Sequence, residues 1–206
     1  GKVAGLSIYN KGGNPNEDAV IRLRGISTVG ANSSPLVVVD GVIGASLNNV
    51  DPSDIETMTV LKDGSAAAIY GSRGSSGVII VTTKRGKAGT TEVAYSGSVA
   101  VASILNTIDV MSGDEFSAAG GTDLGSRTNW LDEVTRSAVT NIHNISMSGG
   151  YENTTFRLST NIRESQGILQ KSGFDKFNTR LQATTRILDD QLKINFNASY
   201  TSRDTD

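Results

Sequence analysis

The sequence contains no cysteine and a single histidine, His143. Without cysteine it can form neither disulfide bonds nor thiolate metal sites, and one histidine excludes sites that need two or more imidazoles. With one histidine and no cysteine, no nucleophile–base pair is available. We therefore expect no catalytic residue, no metal site and no other cofactor.

Charge of either sign is also scarce. Charged residues make up 19% of the chain, and the formal net charge is −2. A nucleic-acid-binding protein would show a basic stripe, so we expect no nucleic-acid partner. Gly71, Gly74 and Gly77 match neither the dinucleotide-binding spacing nor the P-loop spacing, which makes a nucleotide site equally unexpected.

Hydrophobic residues are few for a globular domain, at 37% of the chain. No run approaches the roughly 20 apolar residues of a membrane-spanning helix. The missing share is filled by glycine, with 23 residues, and by serine, threonine and asparagine. This mixture disfavours helices. It is typical of strands joined by many turns, including porin-like barrels with one apolar and one polar face.

The first part of the chain, residues 1–87, has its apolar residues in short solid blocks. Examples are Leu36–Val39 and residues 78–81, which suit strands buried on both faces. Residues 56–61 also resemble a strand, and the alanine-rich residues 65–70 predict a helix closed by Gly71 as its C-cap. We interpret this part as a small α+β domain, a mixed sheet with short helices.

The second part, residues 88–206, changes to strict alternation of apolar and polar residues. A side-chain period of two places these sets on opposite faces of a strand. Each alternating run is long enough to cross a membrane as a tilted strand, which takes about 9–11 residues. The runs, about five in number, cover residues 92–101, 144–151, 156–163, 177–187 and 192–200.

The connections between these runs favour a membrane barrel over a soluble sandwich, which remains the alternative. Residues 152–154 and 189–190 form tight connections, residues 164–173 a longer one, and residues 104–140 a long loop. Outer-membrane barrels have short periplasmic turns and long external loops in the same alternation. Because known barrels start at about eight strands, we expect the chain to be a fragment of a larger protein.

A series of motifs carries a resemblance to a known family. In order along the chain they are Arg24-Gly25-Ile26-Ser27, Pro35-Leu36-Val37-Val38-Val39-Asp40-Gly41-Val42, Asp51-Pro52-Ser53-Asp54-Ile55-Glu56, Val60-Leu61-Lys62-Asp63, Ala68-Ile69-Tyr70-Gly71-Ser72-Arg73 and Gly77-Val78-Ile79-Ile80-Val81-Thr82-Thr83-Lys84. In this order and spacing the series resembles the plug of TonB-dependent outer-membrane transporters, in particular the SusC/RagA branch of Bacteroidota. Residues 130–134, 144–150 and 166–169 resemble the barrel of the same branch.

The resemblance implies a function that composition does not reveal. Such transporters import nutrients across the outer membrane of Gram-negative, Bacteroidota-like cells, and the plug gates the pore of a multi-pass β-barrel that contacts outer-membrane lipid. The implied partners are TonB, contacted by a segment upstream of Gly1, and a SusD-like surface lipoprotein. The implied cargo is an oligosaccharide or a peptide. A siderophore or corrinoid receptor is the alternative, and an outer-membrane adhesin without transport a weaker one.

The resemblance also assigns roles to residues. It implies that basic plug residues face carboxylates on the barrel wall, a role that falls on Arg24, Lys62 and Arg73. The plug-motif positions are Gly25, Asp40, Gly41, Asp54, Asp63, Tyr70, Gly71 and Gly77. Alternation predicts these lumen-facing cations: Arg157, Arg163, Arg180, Arg186 and Lys193. We expect them to form a polar, wet interface that exchanges its bonds with water one at a time.

Overall fold

The computed structural model describes residues 6–9, 20–23, 34–62, 68–122, 124–189 and 191–205. Strand β1 (Leu6–Tyr9) pairs antiparallel with β2 (Val20–Leu23). Arg24, Gly25 and Asp63 lie outside the described residues, and so do residues 65–67 of the predicted helix.

A mixed four-stranded sheet follows, as the solid apolar blocks predicted. Its strands are β3 (Leu36–Val39), β4 (Val42–Ile43), β5 (Ile55–Leu61) and β6 (Val78–Thr83), in the order β4-β3-β6-β5. Strands β3 and β6 run parallel, and the other pairs are antiparallel. The core of the sheet consists of Val38, Val39, Val78, Ile79 and Val81, all buried.

Short 3₁₀ helices lie between the strands of the mixed sheet. They are η1 (Leu47–Asn49), η2 (Pro52–Asp54) and η3 (Ala68–Gly74). The described end of the predicted helix, from Ala68 to Tyr70, is therefore 3₁₀ rather than α-helical. Gly71 has a φ of 63°, which breaks η3 at the glycine that the sequence marked as a cap. Tyr70 is partly buried and packs on Val38 and Val78.

Five long antiparallel strands, paired in sequence order, form the third sheet. They are β7 (Gly89–Ala102), β8 (Ala138–Tyr151), β9 (Thr154–Gln166), β10 (Gly173–Ile187) and β11 (Leu192–Thr205). All five predicted runs lie within these strands, which are 13 to 15 residues long and extend beyond the predicted bounds. The predicted domain boundary at residue 87 falls between β6 and β7. We call this sheet the strand wall.

The connections of the strand wall are short at one end and longer at the other. Residues 152–153 and 188–191 join β8 to β9 and β10 to β11, whereas residues 167–172 join β9 to β10. Residues 103–137 join β7 to β8 and contain two short helices that the sequence did not predict, α1 (Gly113–Ala118) and α2 (Trp130–Val134). Within the described ranges, no helix is long and apolar enough to cross a membrane.

Helix α1 begins at a capping box. The side chain of Ser112 accepts a hydrogen bond from the backbone of Glu115, and the carboxylate of Glu115 accepts one from the backbone nitrogen of Ser112 at 2.8 Å. That backbone bond, with a second from the hydroxyl of Ser112, lowers the pKa of Glu115 below its ordinary value. The box satisfies two N–H groups that a helix start leaves without partners.

The strand wall has two unlike faces. The inner face packs against the mixed sheet, and apart from Ala138 its buried residues are polar: Ser159, Asn161, Asn178, Arg180 and Gln182. The outer face presents exposed apolar side chains, among them Val93, Ile145, Leu158, Leu181 and Phe196. This is the separation that the alternating sequence predicted.

The apolar band on the outer face runs obliquely across the strands. It is centred near Gly97 in β7 and near Phe196 in β11. Across the paired strands, Phe196 of β11 is level with Gly149 of β8. Gly149 lies against Thr91 of β7, which is six residues before Gly97. The band thus shifts by about 20 Å along the strands over about 19 Å across them, a slope of about 45°. Strands of outer-membrane barrels tilt by about 35–45°, so the band would be level in a membrane.

His143 lies inside β8 and faces outward. Its Nδ1 is 2.8 Å from the hydroxyl of Tyr95, and the two rings stack. Tyr95 reaches it across Gly97, where an added Cβ would come within 2.7 Å of the tyrosine oxygen. Tyr95 therefore sits in the middle of β7.

Candidate functional site

The mixed sheet contacts the inner face of the strand wall through a buried carboxylate, Asp54. Its Oδ2 accepts hydrogen bonds from Ser159 Oγ at 2.8 Å and from Asn161 Nδ2 at 3.0 Å. A guanidinium nitrogen of Arg157 lies 3.5 Å from Oδ1. Because Asp54 is only 2% exposed, three donors from β9 replace its water shell. A buried charge requires such compensation.

The local sequence fixes Asp54 in this orientation. Asp51 caps η2 by accepting a hydrogen bond from the backbone nitrogen of Ser53 at 2.9 Å, with proline as the first helical residue. The amine of Lys84 donates to Ser53 O at 2.7 Å, and its backbone nitrogen donates to Asp54 O at 2.8 Å. The end of β6 therefore holds η2 against the wall.

A second carboxylate contact is made by Asp40, at the turn between β3 and β4. Val39 pairs with Val42, which leaves Asp40 and Gly41 as a two-residue turn with φ values of 48° and 89°. Positive φ at both positions defines a type I′ turn, for which Asp-Gly is a favoured sequence. The predicted Asp-Gly turn is therefore present.

The turn aims the Asp40 carboxylate at both β6 and β10. Its oxygens accept hydrogen bonds from the backbone nitrogen of Thr83 at 2.9 Å and from the Thr83 hydroxyl at 2.6 Å. From the wall, Gln182 Nε2 donates at 3.3 Å, and a guanidinium nitrogen of Arg180 lies 3.6 Å away. Gln182 also donates to the Thr83 hydroxyl, which closes a buried network across the two sheets.

Replacing Asp40 by asparagine removes the negative charge and is expected to keep the turn, so it tests the contribution of the charge alone. Asparagine tolerates positive φ as aspartate does, so the turn is expected to survive. The loss of the negative charge beside Arg180 is expected to weaken docking by about 1.5–3 kcal/mol, the range for hydrogen bonds to charged groups. The rate of hydrogen exchange of the β6 amides in the full-length protein measures this weakening of docking. Gly41→Ala is the control that strains the turn and leaves the carboxylate; equal exchange in Asp40→Asn and wild type would contradict the prediction.

A third contact joins η1 to the part of β10 nearer residues 167–172. The amide of Asn178 donates to Asn49 O at 3.0 Å and to Thr201 Oγ1 at 2.6 Å, and its side chain is fully buried. The amine of Lys176 donates to Asn48 O. Side chains of β9 and β10 thus bind the mixed sheet at three places along the wall.

The linker between β6 and β7 crosses the wall at Gly86. A Cβ built on Gly86 would lie 2.6 Å from the carbonyl carbon of Phe156 and closer still to its oxygen. No side chain fits there, so the linker backbone lies directly on the backbone of β9. The linker is therefore docked to the wall.

The predicted site residues differ in where the structure places them. Gly77 has a φ of 91° and lies against Leu23. Lys62 is half-buried and Arg73 is exposed on η3, and their contacts with a barrel wall stay predictions. The register puts all five predicted lumen-facing cations on the inner face. At the described contacts the mixed sheet supplies the acids and the wall supplies the arginines. Wall carboxylates facing Arg24, Lys62 and Arg73 stay a prediction.

Several contact residues were not singled out from the sequence: Ser159, Asn161, Asn178 and Gln182. Their signal was present in the alternation, since each occupies a polar position in an otherwise apolar–polar strand. The sequence did not indicate which polar positions meet the mixed sheet. The partners of Asp54 lie more than one hundred residues away along the chain.

These features define a class of protein. A small mixed sheet is held by buried carboxylates against the polar face of a strand wall, and the opposite face of that wall carries an oblique apolar band. This is the arrangement of a plug inside an outer-membrane β-barrel.

Comparison with known proteins gives the family. Residues 1–78 match the model of the TonB-dependent receptor plug domain. The chain is 41% identical, over 97% of its length, to TonB-dependent receptor SusC of Bacteroides thetaiotaomicron, and 36% identical, over 88%, to TonB-dependent receptor P39 of Formosa agariphila. The chain belongs to the TonB-dependent receptor family. It spans 22% and 19% of the lengths of these two relatives.

Solved structures agree with this assignment. The RagAB peptide importer in its closed-closed state superposes with a TM-score of 0.88 and 28% sequence identity. The match covers 100% of the present chain and 28% of that chain. The open-open state of the same importer superposes with a TM-score of 0.87. The predicted SusC/RagA resemblance and the predicted fold, a plug followed by antiparallel strands, are confirmed.

Proposed function

We propose that this chain is the plug and the first wall strands of an energy-coupled importer in the outer membrane. The observation that carries the proposal is the pair of buried carboxylates, Asp40 and Asp54, bound by side chains of β9 and β10. These contacts hold the plug across the pore. They are polar, so they can be exchanged for water one at a time when the plug is displaced.

We propose that TonB moves the plug by pulling on a segment upstream of Gly1. The Gly86 contact and the Asp54 network hold the C-terminal end of the plug on the wall. A pull applied at the N-terminal end of the plug would therefore act on β1 and β2 before it acts on these contacts.

The proposed cargo is a nutrient, an oligosaccharide or a peptide, delivered by a SusD-like surface lipoprotein. Support comes from the relatives, one named SusC and one described as a peptide importer. The long connection of residues 103–137 is exposed and contains Leu105, Ile108 and Trp130 at its surface. We propose that it lies on the cell-surface side, where cargo arrives.

Deleting the gene tests the proposed function. The deletion strain is expected to lose growth on one class of defined oligosaccharide or peptide, and complementation with the full-length gene is expected to restore it. Restoration should fail in a strain without TonB, because transport depends on energy coupling. Unchanged growth of the deletion strain on every source, or restoration without TonB, would refute the proposal.

A further inference from the structure

The plug is attached to one side of the strand wall. The hydrogen bonds that the structure describes between plug and wall all involve side chains of β9 or β10. These side chains are Arg157, Ser159, Asn161, Lys176, Asn178 and Gln182. Strands β7 and β8, whose residues are all described, make no hydrogen bond to the described part of the plug.

The inner positions of β7 and β8 mostly carry small side chains. They include Ala94, Ser96, Ser98, Ala100, Ser146 and Ser148. Along one row of paired residues, Ala94 and Ser146 on this side of the wall are level with Arg180 on β10. The wall therefore leaves more room beside the plug at β7 and β8 than at β10.

A cavity of about 160 Å³ lies between the plug and the inner face of β7 and β8. Its lining includes Lys84 of the plug and Ser96 and Asn144 of the wall. Asp54 and Arg157 also border it. At about 30 Å³ per molecule, the volume corresponds to about five waters. Water in this cavity would reach the buried ion pair directly.

A second cavity, of about 540 Å³, continues from the first toward the linker between β6 and β7. The two cavities share Lys84 and Arg157 as lining residues. Gly89, at the start of β7, also lines the second cavity and pairs with Gly150 at the end of β8. The second cavity thus lies at the end of the wall with the short connections. We call the two cavities together the β7–β8 cleft.

A buried acceptor indicates that the β7–β8 cleft holds solvent. Asn144 Oδ1 is buried and has no hydrogen-bond partner among the described residues, whereas Nδ2 of the same amide donates to Ser96 Oγ at 3.4 Å. A buried carbonyl oxygen is normally satisfied by a protein donor or by ordered water. Because Asn144 lines the smaller cavity, water or a polar solute in the cleft can supply that donor.

We propose that cargo passes between the plug and strands β7 and β8, along the β7–β8 cleft, rather than along β9–β11. Water in the cleft borders Asp54 and Arg157, so this contact is the first to exchange its bonds when the plug moves. The cleft then widens on the side where no described hydrogen bond holds the plug. This inference rests on the proposed import function and identifies the route that the cargo takes.

Single cysteines test the route, because the chain contains none of its own. Ser146→Cys places a thiol in the cleft. Ser199→Cys is the matched control, because Ser199 lies on the inner face of β11 in the same row of paired residues. The probe is sulfonatoethyl methanethiosulfonate, a small water-soluble thiol reagent. It is applied to cells that produce the full-length transporter without other accessible cysteines and are supplied with mixed oligosaccharides and peptides.

The labelling rates with and without TonB are the measurement. Ser146→Cys is expected to be labelled about tenfold faster in cells with TonB than in cells without it, because plug movement opens the cleft. The labelling rate of Ser199→Cys is expected to change less than about twofold. Ser96→Cys, in the same cleft, is expected to behave as Ser146→Cys does, and it replaces that variant if the latter fails to fold.

Two results would overturn the inference. One is a labelling rate in the cleft that does not depend on TonB, at both Ser146→Cys and Ser96→Cys. The other is an acceleration at Ser199→Cys as large as the one in the cleft.

The outcome separates this inference from the proposed function. TonB-dependent growth together with either of these labelling results would leave the import function standing and remove the route. TonB-dependent labelling in the cleft of a transporter whose deletion affects no growth would keep the moving cleft and remove the import function.

Discussion

Replacing Asp54 by alanine is expected to loosen the plug from the strand wall by about 3 kcal/mol, the lower end of the cost of removing one partner of a buried ion pair. The change leaves Arg157 without its anion and Ser159 and Asn161 without their common acceptor. Amides of β6 in the full-length transporter are expected to exchange hydrogen roughly a hundredfold faster, because local opening becomes easier by that free energy.

The matched control is another ion-paired aspartate. Asp114 lies 2.7 Å from Arg127, but its side chain is 83% exposed. Asp114→Ala is therefore expected to change stability by less than about 1 kcal/mol and to leave β6 exchange unaltered. Asp54→Asn keeps the shape and is expected to fall between wild type and alanine. If β6 exchanges at the wild-type rate in Asp54→Ala, docking does not depend on this carboxylate.

Replacing Gly86 by alanine is expected to prevent normal docking of the linker. The added methyl would collide with the backbone of Phe156, which cannot rotate away as a side chain can. Overpacking of this kind costs about 1–3 kcal/mol, and we expect the upper end because the obstacle is backbone. The folded yield in the outer membrane and the thermal unfolding temperature of the purified transporter measure the effect.

Lys87→Ala is the control for the linker. Lys87 is the next residue and is exposed, so a change there alters the same segment without filling the contact. A Gly86→Ala protein with wild-type yield and unfolding temperature would show that a side chain can be accommodated at residue 86, and would contradict the prediction.

The direction of the charges at the plug contact has a physical consequence. The guanidinium of an arginine presents several N–H donors that match the geometry of a carboxylate. With the acids on the plug, displacement of the plug exposes cations in the pore. With the acids on the wall, it would expose carboxylates. The described contacts therefore leave the arginines on the wall when the carboxylates move with the plug.

The strands and their faces could be predicted from sequence because both follow from local periodicity. The solid blocks around Val38 and Ile79 indicate burial on both faces, and the alternation in residues 156–163 separates a polar face from an apolar one. The Asp40-Gly41 turn was equally local, because only a few residue pairs suit two successive positive φ values. The helices α1 and α2 were missed because they are too short to display a helical period.

The sequence by itself determined that this protein has a compact mixed sheet followed by long, two-faced strands, and its motifs determined the family. Only the tertiary structure decided that Asp54 meets Ser159 and Asn161, or that Gly86 rests on Phe156. These pairs are far apart in the chain, and many polar positions of the wall suit a carboxylate equally well. Which of them meets the plug depends on the register and tilt of whole sheets, and no local pattern encodes that.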